Sequence, residues 1–296
     1  MKPTDQDVLN RLFREQGDIL GGARTTVVAL ECFIQSLRKL KTGPDRFYPE
    51  VLKMTGAIQK TEPPFTPLIH LIERFEQELE RHHALPQEAL RDQAIQILER
   101  QIDDFKATVR KVIDQGVSQV ADGDVILVYS TSTVVNNILI RAKDVLRRQF
   151  RVIVLKQDMV KTRQLIRELA KADVPHEVIP EYVLDHVLDS ANKLFIGALS
   201  ITRDNKVIAS AGTPNIVSLC HIHRVPVYLF LDTFRFSHRP SSVQTIPEKS
   251  TIRSMEHFDL KMKTRSHSIL DLDLIEHVIT EQGEMNRPRV PSSQSS

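Results

Sequence analysis

Three short segments of this chain carry residue types that chemistry could use, and each follows a β-rich run. Tyr129-Ser130-Thr131-Ser132-Thr133 offers a row of hydroxyls that could cap a helix or hold an anion on its free N–H groups. Gly212-Thr213-Pro214 opens a second helix. Gly212 lets backbone approach closely, Thr213 is a natural N-cap, and Pro214 suits the first helical position because its missing N–H costs nothing there. The positive end of that helix would suit a phosphate, or would simply be capped by Thr213. In Gly197-Ala198-Leu199-Ser200 an acid or base would be useful, yet the side chains are apolar or a lone hydroxyl.

Other chemistry-bearing clusters read as structural. Cys220-His221-Ile222-His223 falls inside a helix, where adjacent and i+2 side chains do not share a face, so no metal site is expected. His82-His83 reads as a solvated pair before Pro86. Arg141, Lys143, Arg147, Arg148 and Arg151 form a basic cluster that could meet an acidic partner, though charges on a surface helix are usually solvated. Neither G-x-G-x-x-G nor a P-loop occurs, which disfavours a dinucleotide or ATP, and no cofactor is expected.

These segments need a scaffold. The chain has 296 residues, 41% hydrophobic and 26% charged, enough for two compact units. Forty Lys plus Arg against 38 Asp plus Glu leave +2, so no global field argues for nucleic acid or a membrane surface. Cys32 and Cys220 have no disulfide or zinc spacing and read as reduced thiols. Without a signal-peptide core or a membrane-length apolar run, the chain reads as soluble, intracellular and cytoplasmic.

The pattern changes near residue 116. Before it, apolar residues recur at helical spacing, as in Val27, Val28, Leu30, Phe33, Ile34 and Leu37, or Leu68, Ile69, Leu71, Ile72 and Phe75. Thr42-Gly43-Pro44, Pro63-Pro64 with Pro67, and Pro86 divide these helices. After it, β-rich runs at Val125 to Tyr129, Arg151 to Leu155, His176 to Pro180, Leu194 to Gly197 and Val225 to Asp232 alternate with helices. The helices are expected near Thr133 to Arg148, Lys161 to Ala172, Tyr182 to Ala191 and Asn215 to Arg224. Uniformly apolar strands such as Val125-Ile126-Leu127-Val128 imply cover on both faces. The expected fold class is therefore α/β: an N-terminal helical domain over residues 1–115, then a Rossmann-like, mainly parallel sheet over 116–283 with helices on both faces. Residues 284–296, rich in Ser and Pro from Asn286 on, are expected to be a disordered tail.

Taken in order, the motifs resemble a family. Asp124-Val125-Ile126-Leu127 leading into Tyr129-Ser130-Thr131-Ser132-Thr133-Val134-Val135 comes first, then Leu194-Phe195-Ile196-Gly197-Ala198 and Ala211-Gly212-Thr213. Val225-Pro226-Val227-Tyr228 with Asp232-Thr233-Phe234-Arg235-Phe236 follows, and then Ile279-Thr280-Glu281 with Gly283. Together with Gly22-Ala23-Arg24 before an apolar helix, these are similar to the alpha, beta and delta regulatory subunits of translation initiation factor 2B. Ribose-1,5-bisphosphate and methylthioribose-1-phosphate isomerases are relatives in the same family.

The departures from the isomerase pattern carry the functional reading. The isomerases have a cysteine after the first sheet strand and an aspartate directly after the Gly-Ala of the fourth run; those positions fall on Ser130 and Leu199 here. Moving a proton between sugar carbons needs a titratable pair, which a serine beside a leucine does not supply. Their Asn-Lys before the Gly-Thr turn is replaced by Ala209-Ser210-Ala211, and their Arg-Pro loop by Lys156-Gln157-Asp158-Met159-Val160. The resemblance thus implies a non-catalytic regulatory or scaffold subunit that assembles through its α/β domain as a homodimer or with related subunits. Translation initiation factor 2 is an implied partner. An anion pocket could persist at Ser130, Thr131, Ser132, Thr133, Gly212 and Thr213, with Arg24 reaching over from the helical domain, and a sugar phosphate or nucleotide monophosphate would suit it. The alternative is a diverged sugar-phosphate isomerase that uses other residues, such as Asp232 or His221.

Overall fold

The computed structural model describes residues 8–13, 21–43, 46–61, 64–129, 132–156, 159–243, 246, 248–254 and 259–285. In the N-terminal half, a helical stretch at 8–13 precedes α1 (Gly22–Lys39), α2 (Phe47–Gln59), α3 (Thr66–Glu80) and α4 (Gln87–Val117). Each turns its apolar stripe inward. Leu30, Phe33, Ile34 and Leu37 of α1 and Leu68, Leu71, Ile72, Phe75 and Leu79 of α3 share one core with Phe105 of α4. Prolines sit where a helix tolerates them: Pro67 in the first turn of α3 and Pro86 as the N-cap of α4. The 31 residues of α4 reach roughly 46 Å, and its last turns enter a second core, where Val112, Ile113 and Val117 pack with the sheet. Gly116 allows this close approach, since a Cβ there would lie 2.2 Å from Ile138 Cδ1.

The C-terminal half is built on a seven-stranded sheet ordered β12-β11-β7-β4-β1-β2-β3. Its strands are β1 (Val125–Tyr129), β2 (Arg151–Lys156), β3 (His176–Pro180), β4 (Lys193–Gly197), β7 (Val227–Phe230), β11 (His277–Thr280) and β12 (Gly283–Glu284). All neighbours run parallel except β11 and β12. The helices are α5 (Thr133–Asp144), α6 (Met159–Lys171) and α7 (Thr213–Ile222). Successive strands leave β1 in opposite directions, through β2 to β3 and through β4 to β7, so β1 and β4 flank the switch point where α/β sheets open a crevice. Separate cores on the two sheet faces account for the uninterrupted apolar strands.

Several expectations change. The helix expected at Tyr182 to Ala191 is two 3₁₀ turns, Glu181–His186 and Leu188–Ser190, broken by non-helical Val183. Only Leu184 and Leu188 are buried there, too little to nucleate an α-helix. The helix expected to reach Arg148 stops at Asp144, because the chain turns through a left-handed Arg147 (φ 56°) to enter β2. β6 (Lys206–Ser210), which leads into α7, lies outside the large sheet and pairs antiparallel with β5 (Ser200–Ile201) and β10 (His267–Asp271). β8 (Glu248–Ser254) and β9 (Asp259–Arg265) form a separate two-stranded ribbon. Glu284, the first residue of the expected tail, belongs to β12; residues from Asn286 on lie outside the described residues.

Candidate functional site

At the carboxyl ends of β1, β4 and β7 three loops meet the start of α1. The 3₁₀ turn Thr233–Arg235 after β7 is the keystone. Glu281, in the tight turn between β11 and β12, accepts from Thr233 N at 3.1 Å and from the Thr233 hydroxyl. Phe234 enters the helical half, edge-on to Phe105 at 5.6 Å and under the Arg74 guanidinium at 5.7 Å. Arg235 turns the other way: its Nε donates to Asp232 Oδ2 at 2.9 Å and its Nη1 to the carbonyls of Ala198 (3.0 Å) and Leu199 (3.4 Å). Its guanidinium lies against Gly22, where a Cβ would come within 3.1 Å of Nη1. Asp232 is fully buried, and its Oδ1 has no hydrogen-bond partner.

The crevice between β1 and β4 is narrow. Ser132 packs on Gly197, where a Cβ would lie 2.6 Å from Ser132 Oγ, and Thr133 packs on Gly21, where a Cβ would lie 3.0 Å from Thr133 Cγ2. Ser132 is the N-cap of α5 and accepts from Val135 N at 3.4 Å, which realises the capping role of that loop. Ser130 and Thr131 lie outside the described residues. Arg24 is in the first turn of α1 and exposed.

At α7 the N-cap is Gly212, in the left-handed region (φ 88°), and not Thr213. Thr213 is the first helical residue, and its hydroxyl donates to the Ser210 carbonyl at 2.7 Å; Pro214 is therefore the second. The tight turn out of β6 decides this. Only glycine takes that backbone cheaply, and a Cβ at 212 would meet Tyr129 Oη at 2.2 Å. Tyr129 Oη lies 2.8 Å from both Glu181 Oε2 and the Ala211 carbonyl, which ties β1, β3 and α7 together.

The remaining clusters are local. His221 lies 3.2 Å from Glu276, whose other oxygen accepts from Val227 N at the start of β7, so His221 belongs to the amino-terminal edge of the sheet and not to the crevice. Burial pushes the Cys220 thiol up to about 12. Arg141, Arg148 and Arg151 pair with Asp114, Asp122 and Glu177 at 2.6, 3.1 and 3.2 Å. Among the described residues, no group of three or more His, Cys, Asp or Glu could hold a metal, and no helix is long and apolar enough to cross a membrane.

One titratable pair crosses the seam between the halves. His70 of α3 and His238 have ring centroids 5.3 Å apart. Burial holds the His70 pKa below its ordinary value; Glu73, the Phe234 carbonyl and Asp232 oppose this, whereas His238 adds to it. A histidine kept neutral in the fold costs stability once the unfolded chain can take the proton. Stability is therefore expected to fall as pH drops below about 6.5 toward the lower folded value. Urea titrations at about pH 7.5 and 5.5 should show wild type losing more than His70→Asn; equal losses would remove His70 from this role.

The tyrosine link and the glutamate in the last turn had no structural role assigned from the sequence, and Asp232 of the buried pair was considered only as an alternative catalytic residue. Asp232 and Arg235, at i and i+3 directly after an apolar strand, were the one local signal. Residues 18–287 match the model of the Initiation factor 2 subunit family. The translation initiation factor eIF2B subunit delta of Dictyostelium discoideum is 23% identical over 92% of this chain, which spans about half (48%) of that relative's length. In fold, the chain is similar to the Pyrococcus horikoshii OT3 translation initiation factor eIF-2B, with a TM-score of 0.77 and 22% identity over 97% of this chain and 99% of that one. It is also similar to a chain of the tetrameric eIF2B-beta2-delta2 complex of Chaetomium thermophilum, with a TM-score of 0.72 and 17% identity over 95% and 90% of the two chains. The 5-methylthioribose 1-phosphate isomerase of Pyrococcus horikoshii OT3 has the same fold, with a TM-score of 0.69 and 13% identity over 89% and 78%.

Proposed function

The chain belongs to the Initiation factor 2 subunit family, and from that premise we propose that it is a non-catalytic assembly subunit of the eIF2B alpha, beta and delta type. One observation supports the non-catalytic half: among the described residues, Ser132, Thr213, Glu281 and Arg235 at the loops around the switch point are each engaged in holding structure. Ser132 caps α5, the Thr213 hydroxyl serves Ser210, Glu281 holds the Thr233 turn, and Arg235 is divided between Asp232 and two carbonyls. Among the described residues at the crevice between β1 and β4, none is an acid or base placed to shuttle a proton between substrate carbons. Asp232, the alternative base, is fully buried beneath Arg235, and His221 lies at the opposite edge.

Assembly through the α/β half is supported by where exposed apolar side chains lie. Val145, Tyr182 and Ile222 are 63%, 81% and 71% exposed, more than any described large hydrophobic of the helical half. Partners of this type would be a second copy or related subunits, with translation initiation factor 2 as the protein served. A sugar phosphate or nucleotide monophosphate would be sensed at Arg24, Ser132, Thr133, Gly212 and Thr213 together with Ser130 and Thr131. Light scattering on the eluting chain is expected to give at least twice the 33.8 kDa of one copy; a monomer at tens of micromolar, alone and with eIF2B-type subunits, would end the assembly reading. Incubation with ribose-1,5-bisphosphate or methylthioribose-1-phosphate is expected to give no ketose by NMR, and turnover would restore the isomerase reading.

A further inference from the structure

Two runs of like charge flank the free edge of the large sheet. β3 is an outermost strand, paired only with β2. On one face, α6 buries Leu165 and Leu169 and leaves Arg163, Arg167 and Lys171 exposed, four residues apart and therefore in line along one side of the helix. Glu168 of the same helix does not neutralise them, because its carboxylate accepts from Asn136 Nδ2 at 3.0 Å and from Gln164 Nε2 at 3.1 Å. On the other face, the 3₁₀ turns after β3 bury Leu184 and Leu188 and leave Glu181, Asp185 and Asp189 exposed at the same interval of four. Among the described residues, neither the three cations nor Asp185 enters an ion pair. Like charges at this spacing repel one another along their own element, so neither run stabilises the isolated chain.

The two runs also match in height. α6 starts past the carboxyl end of β2 and returns to the amino end of β3, so Arg163 lies toward the carboxyl edge of the sheet and Lys171 toward the amino edge. The segment after β3 makes the same descent: Glu181 is bonded to Tyr129 at the carboxyl end of β1, and Asn192, just past Asp189, donates to the Val125 carbonyl at its amino end. We propose that this edge is a self-complementary interface for a second copy of the chain. A twofold axis along β3 keeps the strand direction and turns the sheet over. It sets Arg163, Arg167 and Lys171 of one copy opposite Glu181, Asp185 and Asp189 of the other, and the reverse on the far face. Val178 on the edge strand, 39% exposed, and Tyr182 just beyond its end, 81% exposed, supply apolar surface to the same contact. The proposal rests on the assembly reading under Proposed function and names its partner and its surface.

Arg167→Glu/Lys171→Glu and Asp185→Lys/Asp189→Lys each reverse one run and leave Glu181 on Tyr129. Sedimentation is expected to give a dimer for wild type, a monomer for each reversed variant alone, and a dimer again for their equimolar mixture, in which native mass spectrometry finds one copy of each. Raising sodium chloride from about 0.1 to about 0.5 M should weaken the wild-type dimer about tenfold. Arg167→Gln/Lys171→Gln, which removes charge without reversing it, should weaken the dimer to a similar degree, and it carries the comparison should a reversed variant fail to fold. Reversed variants that dimerise like wild type, or folded ones whose mixture stays monomeric, overturn the proposal and leave assembly to another surface. A wild type that assembles only with eIF2B-type subunits overturns it in the same way. A wild type that is monomeric both alone and with those subunits ends the assembly reading as a whole.

Discussion

Replacing Arg235 with methionine is expected to destabilise the fold by about 3–5 kcal/mol, the range for removing one partner of a buried ion pair. Asp232 is fully buried, and its one hydrogen bond to a charged group is to Arg235 Nε at 2.9 Å; its Oδ1 has no partner at all. Without the guanidinium the carboxylate loses its charged hydrogen-bond partner while remaining buried in the seam. The Ala198 and Leu199 carbonyls lose their shared donor as well. Most of the cost is the stranded charge and not the lost attraction, so the double variant Asp232→Asn/Arg235→Met should recover a large share of it. Urea denaturation of the single and double variants decides the matter. A single-variant loss under about 1 kcal/mol would mean that water reaches Asp232 and that the pair does not hold the seam.

Gly212→Ala is expected to cost about 3 kcal/mol, from two separable sources. A left-handed backbone costs a non-glycine residue about 1–2 kcal/mol, and a Cβ 2.2 Å from Tyr129 Oη must displace the phenol, whose one proton is shared between Glu181 and the Ala211 carbonyl, at about 1.5 kcal/mol for that hydrogen bond to a charged group. Gly283 supplies the control. It too has positive φ, 102°, but its Cβ would meet nothing within 4 Å, so Gly283→Ala should show the backbone cost alone. Equal losses in the two variants would mean that the phenol moves aside freely and that the Tyr129 link contributes little.

These two positions differ in how far they could be read from sequence. Gly212 announced itself as a helix start before a proline, but its role was assigned to Thr213, because a threonine at the head of a helix is the usual cap. What reversed this was β6, whose pairing with β10 brings the chain into α7 at an angle that only a left-handed residue can turn. Ser132, by contrast, caps α5 as its type and position suggested, since nothing distant competes for its hydroxyl. Arg24 was expected over the pocket and is an exposed residue on the first turn of α1. The arginine that fills the seam is Arg235, 211 residues further along the chain.

By itself the sequence determined the helical first half, the five parallel strands and three of the four helices expected after residue 116, and the burial of the sheet on both faces. Each of these follows from spacing over a few residues: a period near 3.6, an unbroken apolar run, or a proline where a helix can begin. Only the tertiary structure decided which loops touch. The contact of Gly22 with Arg235, the reach of Glu281 to Thr233 and that of Glu181 to Tyr129 link segments tens to hundreds of residues apart. They exist because the strand order places β1, β4 and β7 side by side. That order is set by how two cores pack against one sheet, a sum over many distant contacts that no local pattern of residues records.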